Sequence, residues 1–211
     1  MKENIKEILE NFLQEAKTGN LKTKHYPKRY SDLKMNVSFG ITNPARIPWI
    51  SFLGEGQKTS QGIYPVYLYY KNYEKLILAY GISEEHEPKL SWNLPSNTQK
   101  VKDYFSSFGE KPERYGDSFV YEVYDKKEQF DWNKIEEDLK NIIKYYKEIL
   151  KNTEIKNEDS SSNKDFKIYK AIQDIKQSGF QTNDKFIIRF ISSIVTKPFV
   201  ILTGLSASGK T

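Results

Sequence analysis

The order of hydrophobic periods along the 211 residues constrains the fold more than any other feature. Ile5, Ile8, Leu9, Phe12, Leu13 and Ala16 recur at three- and four-residue steps, which predicts a helix from about Lys2 to Lys17 with one apolar stripe. Ile135, Leu139, Ile142, Ile143, Tyr146 and Leu150 mark a second, longer helix that Asp131 can cap. Ser96 and Gln99 have capping-box spacing ahead of a shorter helix running to about Phe108. Runs of β character lie between these patterns at Met35–Phe39, Trp49–Leu53, Tyr64–Tyr70, Lys75–Ile82 and Phe119–Tyr124. The polar break Lys71-Asn-Tyr-Glu74 predicts a hairpin between the third and fourth runs. Helix, strands, helix, strand, helix is the order of an α+β domain, a largely antiparallel sheet with flanking helices.

Past Asn152 the pattern breaks. Residues 153–164 hold one apolar side chain in twelve and read as a linker between a domain over 1–152 and a second over 165–211. Two short helical patterns follow, then Pro198-Phe-Val-Ile-Leu-Thr203, a buried strand that leads directly into Gly204-Leu-Ser-Ala-Ser-Gly209-Lys210-Thr211. This is the eight-residue phosphate-loop pattern in the strand context that it requires. Gly204 and Gly209 let backbone N–H groups curl around phosphate oxygens, Lys210 would neutralise the β- and γ-phosphates, and the Thr211 hydroxyl would hold Mg²⁺. The sequence ends before the helix that completes such an anion site, so it is expected to be the front of a longer NTPase and not to hydrolyse nucleotide by itself.

Cysteine is absent, which excludes disulfides and thiolate metal sites and fits the cytoplasm. No run approaches the roughly 18 apolar residues of a membrane span. Between Leu21 and Ile50 six cations stand against one anion, Asp32, so this stretch alone accounts for the formal charge of +5. His25-Tyr-Pro-Lys-Arg-Tyr30 interleaves rings with cations, which suits nucleic acid and suits equally a basic loop beside core strands. Lys22, Lys24, Lys28, Arg29 and Arg46 are the candidate phosphate contacts. No nucleophile with its base, paired acid and base carboxylates or metal cluster stands out. His25 and His86 sit far apart in polar stretches, and Glu84, Glu85 and Glu87 form a loop with nothing nearby to tune them.

Ile47-Pro-Trp-Ile-Ser-Phe-Leu-Gly-Glu-Gly-Gln57, Gly62-Ile-Tyr-Pro-Val66, Leu78-Ala-Tyr-Gly-Ile-Ser83 and Glu87-Pro88 closely resemble the N-terminal domain of the McrB family, the GTPase subunits of modified-cytosine restriction systems. The resemblance runs from about Ile5 to Leu150, and the linker followed by a phosphate loop repeats the family layout, which makes residues 165–211 the beginning of an AAA+ domain. It implies binding to double-stranded DNA with a 5-methylcytosine-like base flipped out of the helix, and no catalysis by the domain itself. For the intact protein it implies GTP and Mg²⁺, ring self-assembly and a separate McrC-like nuclease subunit. The family's base-pocket positions match Trp49, Tyr64 and Leu68, and Tyr64 and Leu68, four apart on a strand, point to one face. These three either form a pocket or pack as ordinary core. Where a family member carries a tyrosine wedge that fills the gap left by the base, this chain has Ile41, which either enters a base step or caps the core beneath a loop. The alternatives are a module that grips a protein or non-specific DNA, or one that has drifted to another modification or to sequence alone.

Overall fold

Asn4 opens the first element: its side chain accepts a hydrogen bond from the Lys6 N–H at 3.0 Å and caps α1, Ile5–Glu15. The computed structural model describes residues 4–152 together with Lys185 and Arg189. The expected linker, the strand at 198–203 and the phosphate loop with Gly204, Gly209, Lys210 and Thr211 lie outside the described residues. Among the described residues no helix is long and apolar enough to cross a membrane.

After α1 come six strands: β1 (Arg29–Tyr30), β2 (Leu33–Gly40), β3 (Pro44–Leu53), β4 (Ile63–Tyr70), β5 (Lys75–Ile82) and β6 (Phe119–Asp125). They form one antiparallel sheet in sequence order, so every neighbour in the sheet is a neighbour in the chain. The architecture is the expected α+β one. The pair β4–β5 is the predicted hairpin, closed where Tyr70 faces Lys75 across a 3₁₀ turn, Lys71–Tyr73, with Glu74 left-handed at φ +53°. β1 is an addition to the five expected strands. It joins β2 through Ser31 and Asp32, both at positive φ, the backbone of a two-residue hairpin turn.

α2 (Val101–Ser106) corrects the capping-box expectation. Lys100 precedes it with no side-chain cap, and its first amides donate instead to the Ser118 and Gly116 carbonyls at 2.9 and 3.0 Å. A tertiary partner satisfies the helix start, so Ser96 and Gln99 are not used. Residues 132–152 form the third helix, α3, and here Asp131 does cap, accepting from the Asn133 and Lys134 amides at 3.0 and 3.2 Å.

Strand register divides the side chains between two faces. Val37, Ile50, Tyr67 and Leu78 lie across one face, Ser38, Trp49, Leu68 and Ile77 across the other. The first face takes α1 and α3. Phe39 stacks on Phe12 of α1 at 5.4 Å, and the Tyr67 hydroxyl donates to the Ile135 carbonyl of α3 at 3.2 Å. On the second face α2 covers one part, with Phe105 against Tyr70 at 4.6 Å. All eight residues of β4 are therefore buried. The rest of the second face, around Trp49 and Tyr64, is left to a cavity.

Candidate nucleic-acid interface

The turn between β2 and β3 depends on Gly40. Its φ is +116°, and a Cβ there would fall 2.0 Å from the Asn43 carbonyl oxygen, a position that excludes any side chain. The register shifts at the same place, between Ser38 and Gly40. The result is a tight tip that lifts Ile41 into solvent, 95% exposed. Ile41 does not cap the core.

Below the tip lies a cavity of about 360 Å³ lined by Ile41, Trp49, Tyr64 and Leu68 together with Val66. The four sequence candidates thus come together at one place. Trp49 and Leu68 face each other across β3 and β4, and Tyr64 follows on the same face of β4. Leu68 is 1% exposed and Tyr64 6%, so both also belong to the core, whereas Trp49 is half-buried. Opposite Tyr64 stands Gly81, where a Cβ would meet the Tyr64 carbonyl at 2.6 Å and its ring at 3.0 Å. Its hydrogen lets the ring lie along β5. The Tyr64 hydroxyl donates to the Thr59 carbonyl at 3.1 Å, and burial pushes its phenol far above the ordinary range, so it stays neutral.

One wall of the cavity was not legible in the sequence. Glu84, Arg114 and Tyr115 line it, and the Arg114 Nε donates to the Glu84 carboxylate at 2.9 Å while the Tyr115 amide donates to its other oxygen. Glu84 therefore has close partners, where the sequence offered nothing nearby. This double hold keeps Tyr115 left-handed at φ +63°, a strained conformation for a tyrosine. Burial raises its phenol, with the Arg114 charge and the Trp49 indole N–H acting the other way. Ser118, buried beside them, accepts from the Ile82 amide at 3.1 Å. Some thirty residues separate Glu84 from Arg114, and no local pattern could have joined them.

The basic segment behaves differently from its rings. Tyr26 and Tyr30 are buried, packed on Phe39 at 6.1 Å and Phe52 at 5.5 Å, so these two rings serve the core and are closed to bases. Lys22, Lys24, Lys28, Arg29 and Arg46 are all exposed. Arg46 pairs with Glu113 at 3.2 Å, and Arg29 turns back to donate to the Asp32 carbonyl at 2.6 Å. They do not form one cluster. Lys28 and Arg29 pair with the start of β2, six residues or about 20 Å from the Gly40 turn, which Gly19, just before Lys22 and Lys24, approaches through Pro44. His25 is half-exposed and reaches Glu15 at 3.0 Å. Among the described residues no three His, Cys, Asp or Glu side chains are grouped to hold a metal.

Residues 2–151 match the family described as MrcB-like, N-terminal domain. The chain is also similar to the type IV methyl-directed restriction enzyme EcoKMcrB subunit of Escherichia coli (strain K12), with 35% identity over 214 residues. That match covers 99% of this chain and 45% of the relative, so the chain spans about half the length of the protein it resembles.

Proposed function

Because the chain belongs to the MrcB-like N-terminal domain family, we propose that its first 152 residues recognise double-stranded DNA carrying a modified cytosine by drawing that base into the cavity walled by Trp49, Tyr64 and Leu68. The observation that carries this reading is the convergence of those three side chains on one cavity with an exposed isoleucine at its mouth. A base cannot be enclosed while it is stacked, so the pocket needs a device that fills the vacated step. Ile41, apolar and exposed beside the tight Gly40 turn, has the chemistry of such a wedge. Inside, rings and an aliphatic side chain suit a pyrimidine face and a methyl group. A carboxylate can accept from the exocyclic amine of cytosine. Glu84 is held by Arg114 and Tyr115, which leaves Glu85 for that role.

One enclosed methyl is worth about 1 kcal/mol, so preference for 5-methylcytosine over cytosine should be roughly fivefold from the pocket alone. In the whole protein the domain would serve as the specificity module of a restriction NTPase that uses GTP and Mg²⁺, assembles as a ring and works with a separate McrC-like nuclease subunit. The test is titration of the 211-residue chain into duplexes of one sequence bearing cytosine, 5-methylcytosine, 5-hydroxymethylcytosine or N4-methylcytosine, with Trp49→Ala alongside. We expect one modified duplex to bind more tightly and Trp49→Ala to erase the difference. Equal binding throughout would leave a non-specific DNA-binding domain, and no binding at low salt would favour a protein partner. Ile41, which lacks a ring to stack, favours a second reading in which another modification is preferred, and the same panel identifies it.

A further inference from the structure

Lys140, Lys144, Lys147 and Lys151 recur at steps of four, three and four, which aligns them on one face of α3. Like charges at these spacings oppose a helix, so helix stability does not account for the stripe. The turn between β1 and β2 lies against it. Lys147 donates to the Ser31 carbonyl at 2.6 Å and stands 3.7 Å from the Asp32 carboxylate. A cavity of about 370 Å³ is lined by Ser31, Ile143 and Glu148 together with the four lysines, so four cations stand there against one anion. The fold therefore sets the β1–β2 turn, Ser31 and Asp32, beside a helix more than a hundred residues later in the chain. Glu136 occupies Lys140 at 2.6 Å and Asp32 occupies Lys147, but among the described residues no carboxylate pairs with Lys144 or Lys151.

We infer that this lysine face of α3, at the β1 edge of the sheet, is a second contact for the DNA backbone, remote from the base cavity. The inference rests on the DNA-binding reading above. The eleven residue steps from Lys140 to Lys151 span about 16 Å of helix, which is about five base-pair steps at roughly 3.4 Å. The far end of β2 lies about 20 Å from the Gly40 turn, and α3 packs on the sheet face opposite the cavity, so the phosphates that the face meets lie several base pairs from the flipped base, reached past the β1 edge. Phosphate contacts position a duplex and carry no base information. The face accordingly adds affinity without adding discrimination.

The experiment uses the whole chain with Lys140→Gln, Lys144→Gln and Lys151→Gln combined. Lys147 is kept because it holds the β1–β2 turn. Variant and wild type are titrated across a salt series into modified and unmodified duplexes, and their melting curves are compared to establish that both are folded. The expected result is weaker binding of both duplexes by the same factor, with the log–log salt slope reduced by about 0.9 for each lysine that holds a phosphate. On a duplex too short to reach the face, variant and wild type should bind alike. An unchanged slope and affinity in the variant, with wild type still preferring modified DNA, overturns the inference and leaves the base-cavity reading standing. A variant that loses the preference while its slope is unchanged also overturns it, and a wild type that binds no duplex removes both readings.

Discussion

Ile41 and Gly40 are neighbours on one turn with opposite demands on substitution. Ile41 is in solvent, so Ile41→Ala should alter stability by no more than about 0.5 kcal/mol while weakening binding to modified duplexes. Gly40→Ala should cost more than about 1 kcal/mol, because an L residue is strained at φ +116° and its Cβ would overlap the Asn43 carbonyl. Urea unfolding of both variants checks the contrast, and equal stabilities would mean that the turn does not depend on glycine. Trp49, Tyr64 and Leu68 were legible as candidates because a resemblance named them. Their convergence was not legible, since it depends on strand register: Trp49 faces Leu68 only because β3 and β4 pair where they do.

At the scale of elements, the two long helices and five of the strands follow from periodicity alone. The misses have physical reasons. β1 is two residues long and its turn is Ser31-Asp32, without the glycine that advertises a hairpin. α2 begins where loop carbonyls of Ser118 and Gly116 meet its amides, a long-range arrangement that a capping-box search does not detect. The helical face of the sheet is tied to α3 by Tyr67, whose hydroxyl is fully buried with the Ile135 carbonyl. Tyr67→Phe removes that one bond and leaves the carbonyl its intrahelical partner, so a loss of about 1 kcal/mol is expected in equilibrium unfolding. A loss several times larger would show that the hydroxyl holds more of the interface than one bond.

For the whole molecule, the chain's 15 tyrosines supply a pH limit. Burial raises the phenols of Tyr80 and Tyr146 to about 12 from an ordinary 10, and raises Tyr64, Tyr67, Tyr70 and Tyr124 as well. Below pH 10 both folded and unfolded chains keep these protons. Above it the unfolded chain loses them first, so stability falls as pH rises from about 10, and for Tyr80 and Tyr146 the contribution is gone past about 12. Denaturation midpoints between pH 8 and 11, followed with tyrosinate absorbance, measure this. Midpoints flat to pH 11 would mean that the phenols ionise as freely folded as unfolded.

The sequence by itself determined the fold class, because hydrophobic period is a local property: stripes at 3.6 residues make helices and apolar runs between turns make strands. It also carried the family and the candidate ring and aliphatic residues, since these stand in contiguous motifs. Only the tertiary structure decided which candidates meet. It buried Tyr26 and Tyr30, exposed Ile41, joined Glu84 to Arg114 and Tyr115, and set the α3 lysines beside the β1–β2 turn. Each of those outcomes depends on contacts between residues distant in the chain, fixed by strand register and helix packing, and local pattern carries no record of such distances.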